Sequence, residues 1–211
     1  MKRHIKYLTT ILILTVFMML SLCGCGEEQV VIPVTEPTIE ITTDGELIAY
    51  LVESFDKAYY DLGELEAMVR EEVADFVKDH ALIAEDGKQG MSVESVAMAA
   101  DGSSNVVVAL RFASSDVYEM YFETELFYGT VAEAEAAGYG LSAALISVKD
   151  GEIFTDELAQ KYAKRKVLVL EDQVVVRCPK EVLYVGTNTS LTAEGFVDCT
   201  QGDGLDLIIM K

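Results

Sequence analysis

The stretch VESVAMAADGSSNVVVALRFA, residues 93–113, decides the fold class of this chain. Two runs rich in valine and alanine, 93–100 and 105–113, flank the pair Asp101-Gly102. An Asp-Gly pair supplies the positive φ angles that tight hairpin turns require, and β-branched residues favour strands. The stretch therefore predicts an antiparallel hairpin.

Two more Asp-Gly pairs, Asp44-Gly45 and Asp150-Gly151, lie between apolar runs. The second predicts that residues 144–149 pair with residues 152–155. Short apolar runs elsewhere predict six further strands, at 46–53, 166–170, 174–178, 182–185, 195–199 and 205–210.

The longest predicted helix begins at Asp61-Leu62-Gly63-Glu64, which has the form of a capping box, and runs to about Lys78. Its apolar residues recur at spacings of three and four, which predicts one buried stripe. The stripe consists of Leu65, Met68, Val69, Val73, Phe76 and Val77.

Three shorter helices are predicted: 116–123, one that begins at the capping box Thr130 to Glu133 and ends at Gly138, and 156–164. Strands and helices do not alternate regularly, which argues against a doubly wound sheet. We expect a single α+β domain, mostly antiparallel sheet, with one long amphipathic helix and several short helices.

The N-terminus has the layout of a secretory signal. Lys2, Arg3 and Lys6 precede an apolar run over residues 8–22. This run is short for a spanning helix, which needs about 20 apolar residues. An uncleaved single-pass anchor is the alternative, and it would deliver the chain to the same side of the membrane.

The four residues Leu22-Cys23-Gly24-Cys25 resemble the lipobox of bacterial lipoproteins. The resemblance implies that residues 1–24 are a lipoprotein signal peptide and that Cys25 becomes a diacylglyceryl N-terminus. It implies a lipid-anchored protein of the cell membrane, facing outside the cytoplasm. Cys23 stands where Ala, Ser or Thr is commoner in that family. Two acyl chains would hold the protein stably on the membrane.

Residues 25–43 contain Pro33 and Pro37 and have no helical period, so they read as a lipid-anchored tether whose last residues could pair as a strand. Residues 44–211 are long enough for one extracytoplasmic domain with its own core.

The charge balance argues against nucleic acid as a partner. The chain has 16 basic and 36 acidic residues, a formal net charge of −20. Loss of Lys2, Arg3 and Lys6 with the signal leaves 13 basic residues and a charge of −23. Phosphate binding needs clustered Lys and Arg. The same charge would repel an anionic membrane surface.

Three runs, residues 55–62, 129–134 and 203–205, are similar to a set of uncharacterised exported lipoproteins from clostridia-like Gram-positive bacteria. This resemblance implies an envelope location and a single exported domain. It implies no activity, substrate or catalytic residue.

Cys178 and Cys199 are the only cysteines beyond the lipobox. Outside the cytoplasm such a pair can form a disulfide, and a loop of about 20 residues would then contribute roughly 3 kcal/mol. Two buried free thiols are the alternative. A catalytic thiol is not expected, because no cationic cluster surrounds either residue and His80 is the only histidine after residue 4.

Other candidates for chemistry have simpler interpretations. His80 follows the C-terminal end of the long helix, where a positive charge interacts favourably with the helix dipole. A single imidazole cannot form the usual zinc site. Ser142 lacks the closing glycine of a nucleophile elbow. Asp198, Asp203 and Asp206 lie close together but do not match a calcium loop, and an ordinary turn explains them equally well.

The chain has ten tyrosines and no tryptophan. The tyrosines are closest together in sequence at Tyr59-Tyr60 and in the group Tyr118, Tyr121 and Tyr128. We expect Tyr118 and Tyr121 to pack in the core. Tyrosine also suits polar interfaces and sugar stacking, so an exposed cluster would indicate recognition.

No nucleophile, base and orienting group come together in the sequence, so we assign no catalytic residue, cofactor or metal and favour a protein that is not an enzyme. We expect a binding or envelope-accessory domain whose partner is a glycan or another envelope protein. The alternative is a carboxylate-dependent hydrolase that acts on cell-wall or dietary glycan through two acids.

Overall fold

Two β-sheets and four helices form the part of the chain that the computed structural model describes, residues 34–202 and 204–211. The structure is 22% helical and 34% strand, which makes it α+β with sheet predominating, as the sequence predicts. The signal peptide 1–24, the lipobox with Cys25 and the residue Asp203 lie outside the described residues.

The strands are numbered in chain order. They are β1 Thr38–Ile41, β2 Leu47–Ser54, β3 Met91–Met98, β4 Asn105–Phe112, β5 Leu126–Thr130, β6 Leu145–Ser147, β7 Lys166–Leu170, β8 Val175–Arg177, β9 Val182–Gly186, β10 Ser190–Leu191, β11 Val197–Asp198 and β12 Asp206–Met210. A seven-stranded sheet has the order β10-β11-β8-β1-β2-β4-β3, and a five-stranded sheet has the order β5-β7-β12-β9-β6. Pairing between the described strands is antiparallel except between β1 and β8.

The helices are α1 Leu62–Asp79, α2 Ser115–Phe122, α3 Val131–Ala137 and α4 Asp156–Lys161. The N-caps predicted for α1 and α3 are confirmed, and α3 alone shows both hydrogen bonds of its predicted capping box. The Asp61 side chain accepts the Glu64 N–H at 2.9 Å at the start of α1. Thr130 and Glu133 form both hydrogen bonds of a capping box at α3, and Gly138 ends that helix at a φ of 96°.

The hairpin predicted from residues 93–113 is confirmed as the pair β3 and β4, with Gly102 at a φ of 79° in its turn. The hairpin predicted around Asp150-Gly151 is present in a short form. Ile146 bridges Ile153, and the N–H groups of Ser147 and Phe154 donate to the carbonyls of Glu152 and Leu145 at 2.9 Å. The returning segment ends at Thr155, which caps α4, and the other edge of β6 pairs with β9.

The main core lies between the two sheets, and α1 and α2 contribute to it. Alternation along β7 shows how the five-stranded sheet is covered on both sides. Leu168 and Leu170 belong to the main core, whereas Val167 and Val169 belong to a second core beneath α3 and α4. The chain is therefore buried over consecutive residues in β7, as a strand with two covered faces must be.

Helix α1 does not present the continuous buried stripe that its apolar spacing predicts. Val73 and Val77 are buried, but Met68 is 66% exposed. Since α1 packs against β3, a strand at the edge of its sheet, only part of the stripe reaches the core.

The last residues of the expected tether do pair as a strand, β1, which lies within the seven-stranded sheet. Two other strands were not signalled by the sequence. β5 runs directly into α3, and β10 is two residues long. Over residues 34–202 and 204–211, none of the helices combines the length and apolar character needed to cross a bilayer.

Candidate functional site

Three aromatic rings form an exposed cluster in the segment between β2 and α1. Phe55 and Tyr60 stack with ring centroids 4.9 Å apart and an interplanar angle of 28°. Tyr59 meets Tyr60 edge to face at the same centroid distance. Tyr59 is 78% exposed and Tyr60 is 42% exposed. We call Phe55, Tyr59 and Tyr60 the aromatic cluster.

Backbone hydrogen bonds fix both ends of this segment. The Phe55 N–H donates to the Ser104 carbonyl at 2.8 Å, which ties the end of β2 to the β3–β4 turn. The Tyr60 N–H donates to the Lys57 carbonyl at 3.1 Å. Asp61, the next residue, is the N-cap of α1. The rings are thus held between the sheet and the start of a helix, and a rigid surface loses little conformational entropy when a ligand binds.

The aromatic cluster combines apolar ring faces with two tyrosine hydroxyls. Contiguous exposed apolar groups rimmed by polar residues mark interaction sites on soluble domains. Asp56 and Lys57 lie beside the rings and pair with each other at 2.8 Å. Such a surface can stack against a flat ligand and exchange hydrogen bonds at its rim.

The other tyrosine group packs inward. Tyr118 is 4% exposed and its hydroxyl donates to Asp172 at 2.8 Å, which confirms its predicted place in the core. Tyr121 is partly buried against the same core and donates to Glu72 at 2.8 Å. Burial raises the pKa of both phenols, and the neighbouring carboxylates raise it further. Tyr128 is partly buried against the main core.

Cys178 and Cys199 are both free cysteines in the structure. The register of β8 and β11 pairs Val175 with Asp198, so Cys199 lies level with Val174. Cys178 is four residues further along, about 13 Å of extended strand, whereas disulfides join Cα atoms about 4.4–6.8 Å apart. Burial raises the pKa of the Cys178 thiol to about 12, which disfavours a reactive thiolate at this residue.

His80 is the C-cap residue of α1, at the helix end where the sequence places it. Its Nδ1 lies 3.0 Å from the Phe76 carbonyl oxygen, and its ring packs on the Phe76 ring with centroids 4.3 Å apart. The imidazole is therefore engaged with its own helix.

Two of the acidic residues considered for calcium, Asp198 and Asp206, have different hydrogen-bond partners. Asp198 accepts hydrogen bonds from the Thr200 N–H at 2.9 Å and from its hydroxyl at 2.7 Å, and these bonds lower its pKa. Asp206 is 5% exposed, and burial raises its pKa against the opposing effect of a hydrogen bond from the Cys199 thiol. Within residues 34–202 and 204–211, no three His, Cys, Asp or Glu residues are grouped as metal ligands.

Gly202 makes room for the buried carboxyl. A Cβ atom at Gly202 would lie 2.8 Å from Asp206 Oδ2. Gly202 therefore lies directly against the Asp206 side chain.

Ser142 donates its hydroxyl to Asp156, the first residue of α4, and not to a histidine. On α1, Glu66 forms an exposed ion pair with Arg70 at 2.8 Å. Neither arrangement supplies a nucleophile with a base.

Sequence reasoning identified Tyr59 and Tyr60 but not Phe55, which completes the cluster. Its position directly after β2, five residues before Tyr60, was the available signal. Comparison with protein families, curated proteins and solved structures gives no match for this chain.

Proposed function

We propose that this protein is a lipid-anchored extracytoplasmic binding protein that recognises an envelope glycan through the aromatic cluster. The exposure of Tyr59 and Tyr60 beside Phe55 is the observation that carries the proposal. Exposing stacked rings has a cost in water, since burial of apolar area stabilises a protein by about 25 cal/mol per Å². A ligand that covers them recovers this energy.

A glycan fits the cluster better than other partners do. Sugar rings have apolar C–H faces that stack on aromatic rings and hydroxyls that bond at the rim. The net charge of −23 after signal removal disfavours long-range attraction of anionic polymers. A largely uncharged glycan chain therefore matches both the local chemistry and the overall charge.

Membrane anchoring rests on the sequence. The basic residues Lys2, Arg3 and Lys6, the apolar run and the lipobox ending at Cys25 together support a diacylated N-terminus. The repulsion between an acidic domain and an anionic bilayer would hold the domain away from the lipid and toward the wall.

The hydrolase alternative is less well supported. A general acid needs a raised pKa and access to the scissile bond. Among the described carboxylates, Asp206 alone has a clearly raised pKa, and it is 5% exposed beneath Gly202.

We further propose that α1 acts as the one long amphipathic helix of the fold, with its exposed first half extending the surface next to the aromatic cluster.

A thermal-shift panel on the full chain tests the proposed function. The panel compares neutral wall oligosaccharides, calcium chloride and short peptides. A glycan at about 100 times its Kd should add roughly 2.7 kcal/mol and raise Tm by about 5–10 °C. A rise with calcium or peptide alone would overturn the glycan proposal, and a flat panel would redirect attention to a protein partner.

A further inference from the structure

Two arginines lie in one cross-strand row on the seven-stranded sheet. The register sets Arg111 of β4 opposite Ile48 of β2. Ile48 lies opposite Glu40 of β1, and Glu40 lies opposite Arg177 of β8. Because directly opposed residues point to the same side of a sheet, both arginine side chains lie on one face, and their backbones are about 14 Å apart over three strand spacings.

This face is turned away from the main core. Leu47 and Ala49, the neighbours of Ile48 along β2, belong to the core between the sheets, whereas Arg111 and Arg177 belong to neither core cluster. The row is therefore an outer surface of the domain, distinct from the aromatic cluster.

Arg111 shows what a fully paired guanidinium looks like on this face. Its Nε donates to Glu94 Oε1 at 2.7 Å and its Nη2 donates to Glu94 Oε2 at 3.2 Å. Its Nη1 donates to Glu46 Oε2 at 2.6 Å. One carboxylate thus takes the Nε edge in the bidentate manner that suits arginine, and a second takes Nη1.

At Arg177 a carboxylate lies near Nη1, but no carboxylate of the described residues lies at the Nε edge. Its Nη1 lies 4.0 Å from Glu40 Oε2, and the same oxygen accepts the Tyr50 hydroxyl at 3.0 Å. Its Nε is buried and is the one such side-chain nitrogen or oxygen in the described chain without a hydrogen-bond partner. The whole side chain is 13% exposed.

Aromatic rings surround this guanidinium. The Phe196 ring centroid lies 4.9 Å from the Arg177 guanidinium carbon, and the Tyr50 centroid lies 5.9 Å away. We call Glu40, Tyr50, Arg177 and Phe196 the Arg177 cluster. The rings favour the cation through their faces but supply no acceptor for Nε.

We infer that the Nε edge of Arg177 binds the carboxylate of a ligand, which takes at Arg177 the position that Glu94 takes at Arg111. A buried donor without an acceptor is costly, and a ligand oxygen that accepts a hydrogen bond from Nε removes the cost. The Phe196 ring must turn aside to admit the ligand and can then pack on its apolar part. Uronic acids of glycans and C-terminal carboxylates of peptides share this chemistry.

Nitrogen-15 spectra of the full chain test the inference directly, because its five arginines give only five Nε–H resonances. The probes are methyl β-D-glucuronoside and acetyl-dialanine, and the matched neutral controls are methyl β-D-glucoside and acetyl-dialanine amide. We expect both acids, or one of them, to shift the Arg177 Nε–H while the Arg111 resonance stays in place. A response to one acid alone assigns the source of the carboxylate.

Calorimetry on variants supplies the second measurement. Arg177→Lys keeps the charge but removes the planar fork, so affinity for the acid probe should fall at least about tenfold. Arg111→Lys should bind as the wild type does, and Glu40→Gln should bind several-fold more tightly because a competing carboxylate is removed. An unshifted Arg177 Nε–H, an equal shift with the neutral probes, or unchanged affinity in Arg177→Lys would overturn the inference. The spectra of the unmutated chain decide the point even if a variant fails to fold, and failure of glycan binding at the aromatic cluster does not affect it.

Discussion

The Tyr118 hydroxyl on α2 donates to Asp172 Oδ2 at 2.8 Å and so ties the helix to the segment that follows β7. The Tyr118 ring also packs on Phe112 and Phe122, with centroids 5.2 Å and 4.6 Å away. One side chain therefore joins the aromatic part of the main core to a carboxylate at its rim.

Replacing Tyr118 with phenylalanine should keep the ring packing and remove only the hydrogen bond. We expect Tyr118→Phe to lower the free energy of unfolding by about 1 kcal/mol, the usual net contribution of such a bond. Urea titration followed by circular dichroism measures the change. Tyr121→Phe is the matched control, because its bond to Glu72 is exposed and should contribute less. Equal stability of Tyr118→Phe and wild type would contradict this reading of the contact.

Two aspartates should give stability opposite dependences on pH. Asp206 has a pKa raised by burial, so its contribution to stability is present below the unfolded pKa, near 3.8, and is lost as pH rises through the folded value. Asp198 has a pKa lowered by its bonds to Thr200, so its contribution is present above pH 3.8 and is lost as pH falls.

Urea titrations at a series of pH values check these signs. Relative to wild type, Asp206→Asn should become more stable as pH rises from about 4 to 7, because the buried charge is no longer formed. Asp198→Asn should be less stable than wild type by a nearly constant amount above pH 4, and this difference should shrink as pH falls below about 4. Parallel pH profiles for the two variants would show that the opposite environments of these carboxyls do not govern stability.

Cys178 and Cys199 should remain reduced in the native protein. They directly follow β8 and β11, and the register of these strands places them too far apart for a disulfide. Cys199 is buried and Cys178 is partly buried, which shields the thiols. We expect alkylating reagents to modify both residues only after denaturation, with no added reductant needed. Peptide mapping by mass spectrometry gives the result, and a linked peptide containing both cysteines would refute it.

Lipidation should depend on Cys25 and not on Cys23. Cys25→Ser should abolish incorporation of labelled fatty acid and leave the protein in the aqueous phase of a detergent partition. Cys23→Ser is the control, since serine is common at that lipobox position. Loss of labelling in both variants would leave the site unassigned, and labelled Cys25→Ser would disprove it.

Local signals in the sequence predict much of the fold. The hairpin of β3 and β4 and the caps at Asp61 and Thr130 depend on residues close together in the chain, and all three are present. β5 was not predicted because Thr130 is both its last residue and the N-cap of α3, so no turn separates the strand from the helix.

Long-range pairing could not be foreseen in the same way. β1 pairs in parallel with β8, far along the chain, and nothing local to either strand specifies this partner. The division into two sheets depends on such pairings. For the same reason Tyr59-Tyr60 stood out as adjacent residues, whereas the meeting of Glu40 with Arg177 became visible only from the register.

Binding of the full-length protein to insoluble wall glycan, measured as an isotherm by sedimentation, tests the proposed function most directly. We predict saturable binding by the wild type, and at least about tenfold weaker binding by Tyr59→Ala, since a tenfold change corresponds to about 1.4 kcal/mol. Ile153→Ala, which removes another exposed apolar side chain, 57% exposed, should bind as the wild type does. Absence of saturable binding, or equal affinity for wild type and Tyr59→Ala, would contradict recognition of a glycan by the aromatic cluster.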